Sequence, residues 1–370
     1  MSLSTILFIV FVVIVVIQIL YYLIFLFSFS AVRPDSKSKK HIPVSVIICA
    51  KNEAENLEKN LPYVLNQEYS NYEVVLINDG SSDQTLKIMK QFEAKYDVIK
   101  IVDVRTNEAF WGNKKYALTL GIKASKNDFL VFTDADCRPN SSLWLQHMSS
   151  KFSNEKAVVL GYGAYEKKRS SILNLLIRFE TILTALQYFS YAKLGIPYMG
   201  VGRNMAYTKE LFFNNNGFNG HMSVKSGDDD LFINEVADKN NVALCFVKDS
   251  FTISTPEESL KDWIRQKRRH VSTSRLYKLQ HKLLLGLFYF SQLTFWILGI
   301  LLLIIAYNWI WVVSLIALRF TVQLLSFALA AKKLDDLGLV YFVPVLELFL
   351  ITTQLSIFSA NLMATPKHWK

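Results

Sequence analysis

Cysteine and proline are scarce in this chain of 370 residues, which has 3 cysteines and 8 prolines. The cysteines, Cys49, Cys137 and Cys245, do not have the spacing of a zinc site, and this usage is typical of a reducing, cytosolic compartment. Two nucleotide-binding motifs are also missing. The chain has no GxxxxGK[ST] motif and no GxGxxG motif after the first predicted strand, which disfavours a P-loop ATPase and a dinucleotide-binding domain.

Charge is absent from residues 3–29, which are predominantly apolar. A helix needs about 20 such residues to cross a bilayer, so this run predicts an uncleaved membrane anchor within residues 1–31. A secretory signal peptide is the competing interpretation. It is disfavoured because the apolar stretch is too long and no Lys or Arg precedes it.

Further apolar stretches near the C-terminus, within residues 283–361, predict membrane helices at 283–307, 309–331 and 337–360. The second stretch contains Arg319 and the third contains Glu347. Charges inside a membrane span are costly and usually face protein or water. The two residues therefore either pair with each other or mark an interfacial or re-entrant segment. The sequence leaves open whether residues 337–360 cross fully.

Basic residues cluster at both ends of the central region, in residues 33–41 and 265–282. Lys and Arg beside membrane spans favour the cytoplasmic face. The sequence therefore predicts an integral protein of the inner or plasma membrane whose central domain is cytoplasmic. This arrangement accounts for much of the net charge of +10 without a nucleic-acid partner.

Short apolar runs alternate with amphipathic segments between residues 42 and 278. Strands rich in Val and Ile, such as 44–49 and 73–78, separated by helices, predict an α/β fold with a mostly parallel sheet covered on both faces. Ligands bind beyond the carboxyl ends of the strands in such sheets. The residues of interest after the predicted strands are Ala50, Asn52, Glu53, Asp79, Asp134 and Asp136.

Asp134 and Asp136 stand one residue apart, directly after a predicted buried strand. A turn is the simplest explanation of one such acid, because Asp often ends strands. Several acidic clusters at one sheet edge repel each other, and a cation relieves that repulsion. Mg²⁺ or Mn²⁺ suits carboxylate ligands and often binds substrate phosphates as well. The pattern therefore predicts a divalent metal that carries a diphosphate.

Five segments in this order resemble the family 2 glycosyltransferases: PVSVIICAKNE, VVLINDGSSDQT, FTDADCRPN, SGDDDL and QKRRH. The resemblance implies an inverting, membrane-bound enzyme whose GT-A domain, here residues 42–278, binds a nucleotide-diphosphate sugar. The implied nucleotide contacts are Ala50, Asn52, Glu53, Asp79, Lys114 and Asp134, and the implied metal ligands are Asp134 and Asp136. Asn113 takes the place of the glycine that usually precedes the family's lysine, and the adjacent Lys115 is the alternative to Lys114.

Alignment on Asp230 and Leu231 implies that Asp228 is the general base, with Asp229 as the second candidate. Adjacent acids raise one another's pKa, which suits a base. Stabilisation of a helix start by these acids is the alternative. The preceding stretch GVGRNMAY offers Arg203 and Asn204 as contacts to the donor sugar.

Gln266, Arg269 and His270 match the family's QxxRW motif, with His in place of Trp. The resemblance implies that Arg269 pairs with the diphosphate, and a basic patch that binds anionic membrane lipid is the alternative. The missing Trp and the small number of C-terminal spans disfavour a processive polymer synthase. Residues 172–194 predict either a helix on the membrane surface or a core-packing helix.

The resulting hypothesis is an enzyme that moves a sugar from a nucleotide-diphosphate sugar, expected to be a UDP-sugar, to a hydroxyl of a lipid-linked or membrane-associated glycan. Membrane lipids are further expected partners. Transfer to polyprenyl phosphate is the enzymatic alternative. A non-catalytic membrane scaffold or sensor that binds nucleotide sugars is the alternative from another class.

Overall fold

The computed structural model describes residues 1–31, 41–104, 114–224 and 226–363. Nearly all of the basic stretch at 33–41 lies outside these residues, as does Asn113. The described residues fall into two compact units. A helical unit comprises residues 1–31, 169–193 and 258–363, and an α/β unit comprises residues 41–104, 114–168, 194–224 and 226–257.

The secondary structure alternates between strands and helices in the α/β unit and is helical in the other unit. The strands of the described residues are β1 (Val44–Ala50), β2 (Tyr72–Asp79), β3 (Ile99–Val104), β4 (Phe129–Phe132), β5 (Cys137–Pro139), β6 (Val158–Leu160), β7 (Gly163–Tyr165), β8 (Met205–Thr208), β9 (Val242–Leu244) and β10 (Thr252–Ser254). The helices are α1 (Leu3–Ser30), α2 (Ala54–Leu65), α3 (Thr85–Glu93), α4 (Lys114–Ala124), α5 (Trp144–Ser149), α6 (Ile172–Lys193), α7 (Lys209–Asn214), α8 (Asp230–Val236), α9 (Leu260–Thr273), α10 (Leu279–Ile304), α11 (Trp309–Lys333) and α12 (Val343–Met363).

The main sheet of the described α/β unit has seven strands in the order β3-β2-β1-β4-β8-β6-β9. The first four strands in this order are parallel, and β8 runs antiparallel to both of its neighbours, β4 and β6. A second, small sheet has the order β5-β10-β7. This parallel-rich α/β architecture confirms the predicted fold class.

The centre of the main sheet is buried on both faces, which explains the continuous apolar runs of its strands. Val46 pairs with Val74 on one side and with Val131 on the other, and all three side chains are fully buried. The same register brings the carboxyl ends of β1, β2 and β4 to one edge, with Ala50 opposite Asn78. The loops that carry most of the predicted site residues therefore start from neighbouring strands.

Five helical segments of the described residues are long and apolar enough to cross a membrane: α1, α6, α10, α11 and Leu337–Met363, a 3₁₀ turn that continues into α12. The sequence predicted four of them. The fifth, α6, packs against α1, α11 and α12. In its most apolar 18 residues, 67% of α6 is buried, whereas the corresponding share of α1 is 17%. The structure therefore favours the core-packing interpretation of this segment.

Helix α9 also belongs to the helical unit, although the predicted boundary at residue 278 assigned it to the GT-A domain. Lys267 Nζ donates to Glu180 Oε2 of α6 at 2.6 Å, and Arg268 Nε donates to Asn361 Oδ1 of α12 at 2.9 Å. These contacts join segments that are far apart in the chain. Sequence spacing therefore could not indicate this division.

A buried polar cluster joins α1, α10, α11 and α12. Arg319 Nη1 donates to Glu347 Oε2, and Arg319 Nη2 donates to Gln18 Oε1, both at 2.8 Å. Gln292 and Gln323 also donate to the Glu347 carboxylate, at 2.8 and 2.9 Å. Arg319 and Glu347 are fully buried. Of the two alternatives for these charges, pairing is confirmed.

Candidate active site

The loops after β1 and β2 are hydrogen-bonded to each other at the carboxyl edge of the sheet. Asn52 has a φ of 56°, in the left-handed region that Asn tolerates better than most residues. Its N–H donates to Ser81 Oγ at 3.0 Å, and its Oδ1 accepts from the Ser82 N–H at 2.9 Å. Asn52 therefore has a clear part in shaping the edge where the nucleotide was predicted to bind.

Ala50 and Glu53 lie on either side of this turn. Ala50 ends β1 and is buried, so only its backbone is available to a ligand. The Glu53 N–H donates to Thr85 Oγ1 at 2.8 Å, and Glu53 Oε2 accepts from Asn56 Nδ2 at 2.6 Å. Both residues are placed at the predicted edge, and their contact with a nucleotide stays a prediction.

Asp79 is the last residue of β2 and is only 5% exposed. Its Oδ2 has no hydrogen-bond partner among the described residues. Burial raises the pKa of this carboxyl group, and Lys51 and Lys114 partly oppose the shift. Buried polar atoms are normally hydrogen-bonded. Asp79 is therefore suited to accept a hydrogen bond from a ligand, such as the N–H of a nucleotide base.

Lys114 lies between the acids that follow β4 and those that precede α8. Its Nζ is 3.0 Å from Asp134 Oδ1 and 2.9 Å from Asp228 Oδ2. Burial lowers the pKa of Lys114, but the carboxylates of Asp134 and Asp228 outweigh this effect and raise the pKa well above its usual value. Lys114 therefore stays an ammonium ion and offsets part of the negative charge of the site.

The adjacent Lys115 points to a different set of acceptors. Its fully buried side chain donates from Nζ to the carbonyl oxygens of His221, Val224 and Ser226, at 2.8, 3.0 and 2.8 Å. Burial lowers its pKa to about 8, and the acids at Asp228–Asp230 partly oppose the shift. Of the two lysines, Lys114 is thus the one that contacts the acids after β4.

Asp134, Asp136 and Cys137 place possible ligand atoms within 4.8 Å of one another. Burial keeps the pKa of the Cys137 thiol well above its usual value, so this group is a poor ligand. Burial and the Asp134 carboxylate raise the pKa of Asp136 to about 6. Two hard carboxylates whose repulsion a cation would relieve fit a divalent metal, and its identity as Mg²⁺ or Mn²⁺ stays a prediction.

The acids of the SGDDDL segment differ in their surroundings. Asp229 caps α8: its Oδ1 accepts from the Asp230 N–H at 2.7 Å and its Oδ2 from the Gly202 N–H at 2.8 Å. Burial and the carboxylates of Asp228 and Asp230 raise the pKa of Asp229 to about 7. Burial acts on Asp228 too, but Lys114 outweighs it and lowers the pKa. The expectation that the adjacent acids raise one another's pKa is therefore confirmed at Asp229 and wrong for Asp228, because the Lys114 ammonium lies 2.9 Å from the Asp228 carboxylate.

Asn204 is fully buried and holds separate segments together. Its Nδ2 donates to the carbonyl oxygens of Tyr162 and Ser250, both at 2.8 Å, and its Oδ1 accepts from Trp144 Nε1 at 3.0 Å. These internal bonds use its side chain and leave its backbone for the donor sugar, so the contact of Asn204 with that sugar stays a prediction. The neighbouring Arg203 donates from Nη2 to the Gly163 carbonyl oxygen at 2.7 Å, and its sugar contact stays a prediction.

Gln266, Arg269 and His270 lie on α9 of the helical unit. Their spacing of three and four residues places them on one face of this helix. Lys267 and Arg268, on the other side, bond to α6 and α12. The roles that the resemblance implies for the first three residues stay predictions.

Thr133 and Tyr207 were not anticipated from the sequence. With Cys49, Lys114 and Asp228 they line a small pocket of about 10 Å³, about the volume that one water needs. Thr133 Oγ1 and the Tyr207 hydroxyl are buried and have no hydrogen-bond partner among the described residues. Tyr207 lies on β8, which pairs antiparallel with β4, and Thr133 directly follows β4; no sequence motif marks that pairing.

The parallel-rich sheet with acids at its carboxyl edge has the architecture of a GT-A glycosyltransferase domain, which binds nucleotide sugars. The family described as "Glycosyl transferase family 2" matches residues 45–212, and "Glycosyl transferase family group 2" matches residues 131–324, just over half of the chain. The chain therefore belongs to the family 2 glycosyltransferases. Membership of this family supports a transferase activity.

Individual relatives match parts of the chain. Glycosyltransferase AglE of Haloferax volcanii is 37% identical over 120 residues, which cover 32% of this chain and 38% of AglE. A poly-beta-1,6-N-acetyl-D-glucosamine synthase of Staphylococcus epidermidis is 37% identical over 93 residues, which cover 25% of this chain and 21% of the synthase. Both matches therefore span less than half of the relatives' own length.

A solved structure with a similar fold is the mannosyltransferase PcManGT from Pyrobaculum calidifontis in complex with GDP-Man and Mn²⁺. It aligns with a TM-score of 0.61 and 16% identity, over 90% of this chain and 99% of that chain. At this identity the likeness shows the fold.

Proposed function

We propose that the protein is an integral-membrane, metal-dependent, inverting glycosyltransferase. The donor is a nucleotide-diphosphate sugar, with UDP as the expected nucleotide, and the acceptor is a hydroxyl of a lipid-linked or other membrane-associated glycan. The observation that carries the proposal is the position of Lys114 Nζ, 3.0 Å from Asp134 and 2.9 Å from Asp228. This lysine joins the candidate metal ligands to the candidate base within one site.

The donor is proposed to bind at the carboxyl edge of β1, β2 and β4. Asp79 is the proposed partner of the base, and the loop with Asn52 and Glu53 surrounds the nucleoside. Asp134 and Asp136 would hold the metal, which stabilises the charge that develops on the leaving diphosphate. The complex of PcManGT with GDP-Man and Mn²⁺ agrees with a divalent metal in this role.

Asp228 is the proposed general base. It is ionised at neutral pH because Lys114 lowers its pKa. In the proposed reaction it takes the proton of the acceptor hydroxyl while that oxygen attacks the anomeric carbon, and the diphosphate leaves from the opposite face with inversion. Asp229 has a pKa of about 7, closer to working pH. It remains the second candidate because both of its carboxylate oxygens already accept backbone N–H bonds.

The α/β unit is proposed to lie in the cytoplasm, at the inner or plasma membrane. Five apolar helices are compatible with membrane insertion. Helix α9 carries several Lys and Arg residues next to the apolar helix α10, and basic residues beside membrane helices favour the cytoplasmic side. Gln266, Arg269 and His270 of α9 are proposed to contact the donor diphosphate or the acceptor at the membrane surface.

The first test is release of nucleoside diphosphate from a panel of nucleotide sugars by the purified full-length protein in detergent with Mn²⁺ or Mg²⁺. We expect release from one donor, and loss of it with a chelator and in Asp136→Asn. Asp97→Asn is the matched control, because Asp97 is an exposed acid of the same unit. Turnover that survives both the chelator and Asp136→Asn would contradict the metal role.

Transfer to a polyprenyl phosphate is the second candidate, and one observation favours it. Lys114 lowers the pKa of Asp228, which makes this carboxylate a weak base. A phosphate oxygen attacks without the help of a strong base, whereas a sugar hydroxyl needs one. Asp228→Asn separates the two reactions: loss of turnover supports a hydroxyl acceptor, and retained turnover with a polyprenyl phosphate supports the alternative.

A further inference from the structure

Two adjacent lysines at the start of α4 bind the segment that leads to the proposed base. Lys114 Nζ lies 2.9 Å from the Asp228 carboxylate. Lys115 Nζ donates to the backbone carbonyl oxygens of His221, Val224 and Ser226 at 2.8, 3.0 and 2.8 Å. One lysine therefore holds the side chain of the base, and the other holds the backbone before it.

The environment of Lys115 is unusual for a lysine. Its side chain is fully buried, and burying an ammonium is costly unless hydrogen bonds compensate. An ammonium has three N–H donors, and three carbonyl oxygens lie at hydrogen-bonding distance. Hydrogen bonds from a charged donor are stronger than neutral ones. An apolar side chain would fill the same space without this cost, so the arrangement indicates a task beyond packing.

Gly227 shows why the backbone before the base needs to be held. It lies between Ser226 and Asp228 and has a φ of 92°, a conformation that glycine adopts readily and other residues resist. A glycine next to the base increases the conformational freedom of the backbone there, and other contacts have to restrict it if the base is to stay in place. Helix α4, which carries Lys115, is fixed in place because it packs on β1 and β2 of the main sheet.

We propose that Lys115 is a positioning residue that fixes the backbone before Gly227 and thereby holds Asp228 at Lys114. The inference rests on the proposed function for its catalytic consequence, since Asp228 is there the general base. The hydrogen bonds of Lys115 are independent of that role. The proposal therefore has one structural readout and one kinetic readout.

The experiment compares Lys115→Met, Lys115→Arg and the control Lys123→Met in the full-length protein in detergent. Lys123 is an exposed lysine of the same helix. Amide hydrogen exchange is measured on peptides that cover residues 226–236. The kcat and KM are measured with the donor that supports turnover, and the affinities for UDP and GDP are measured with Mn²⁺.

We expect faster exchange of these peptides in Lys115→Met and a kcat lower by about 100-fold, because a misplacement of about 1 Å has effects of this size. The nucleotide affinity of Lys115→Met should stay within about 3-fold of wild type, since the three hydrogen bonds of Lys115 go to the segment before the base. The control Lys123→Met should resemble wild type in each measurement. Unchanged exchange together with wild-type kcat in folded Lys115→Met would overturn the proposal.

Lys115→Arg keeps the inference testable if the methionine variant does not fold. A planar guanidinium cannot direct three N–H groups to the acceptors of an ammonium. We therefore expect an intermediate loss of kcat, and wild-type exchange and kcat in this variant would also overturn the proposal. If exchange rises in Lys115→Met while wild type releases nucleoside diphosphate from no donor, the positioning role stands and the proposed function fails.

Discussion

The buried pair of Arg319 and Glu347 is expected to respond unequally to the loss of either partner. Removing one partner of a buried ion pair costs about 3–5 kcal/mol, whereas replacing both by apolar residues of similar size is often close to neutral. The perturbations are Arg319→Met, Glu347→Met and the double variant. The groups that each change leaves behind decide which single variant is the less stable.

Arg319→Met leaves a carboxylate that still has donors around it. Glu347 Oε1 accepts from the Tyr22 hydroxyl at 3.1 Å, from Gln292 Nε2 at 2.8 Å and from Gln323 Nε2 at 2.9 Å. We therefore expect Arg319→Met to lose about 3 kcal/mol of stability, at the lower end of this range.

Glu347→Met leaves a guanidinium that cannot give up its proton. Its closest remaining side-chain acceptors are Gln323 Oε1 at 2.6 Å and Gln18 Oε1 at 2.8 Å, fewer than its five N–H groups require. We therefore expect Glu347→Met to lose about 5 kcal/mol of stability. The stability of the double variant should lie within about 2 kcal/mol of wild type.

The free energy of unfolding can be followed by tryptophan fluorescence during SDS titration in mixed micelles. Leu325→Met is the control, because Leu325 is an exposed apolar residue of α11, and we expect a change below about 0.5 kcal/mol. The reasoning would be refuted if Arg319→Met were less stable than Glu347→Met. Additive losses in the double variant would refute the coupling between the two charges.

Three further predictions concern the α/β unit. The folded-state pKa of Asp229 is raised to about 7, so the stability linked to its protonated form is present at low pH and lost as pH rises through 7. Asn cannot ionise, so the unfolding midpoint of Asp229→Asn should increase relative to that of wild type as the pH rises from about 5 to about 8. Lys114→Met should lower the rate of nucleoside-diphosphate release by at least about 100-fold, because it removes a fixed positive charge from the site, and Lys123→Met should not. Asn204→Ala should destabilise the protein by about 2–4 kcal/mol in a denaturant titration, because it leaves buried partners unpaired, while the kcat of the folded fraction stays within about 3-fold of wild type.

The strands of the main sheet were predictable because of how they are buried. Strands covered on both faces require continuous apolar residues, and β1, β2 and β4 have them. The acids that follow such strands then have to meet at one edge, so the order of apolar runs and acids was enough to predict that Asp79 and Asp134 belong to one site. These inferences use local sequence and a general rule of parallel sheets.

Other features depend on contacts between distant segments, and the sequence could not indicate them. In the sequence, Asn204 is a polar residue of a glycine-rich loop. The sequence would look the same if its side chain faced a sugar or if it accepted a hydrogen bond from Trp144, as it does in the structure. Helix α6 has a composition between that of a membrane helix and a buried helix, and only its packing on α1, α11 and α12 distinguishes the two. The lowered pKa of Asp228 depends on Lys114, which is more than a hundred residues away in the chain.

The position of Lys114 also explains how a cluster of buried acids is compatible with a stable fold. Charges that are withdrawn from water need partners, and the Lys114 ammonium serves both Asp134 after β4 and Asp228 before α8. In the proposed reaction the donor diphosphate competes for this ammonium, because phosphate oxygens are strong acceptors of charged hydrogen bonds. A weaker bond from Lys114 to Asp228 removes the interaction that lowers the pKa of that carboxylate. In the proposed reaction Asp228 would therefore be a stronger base in the donor-bound site than in the free site.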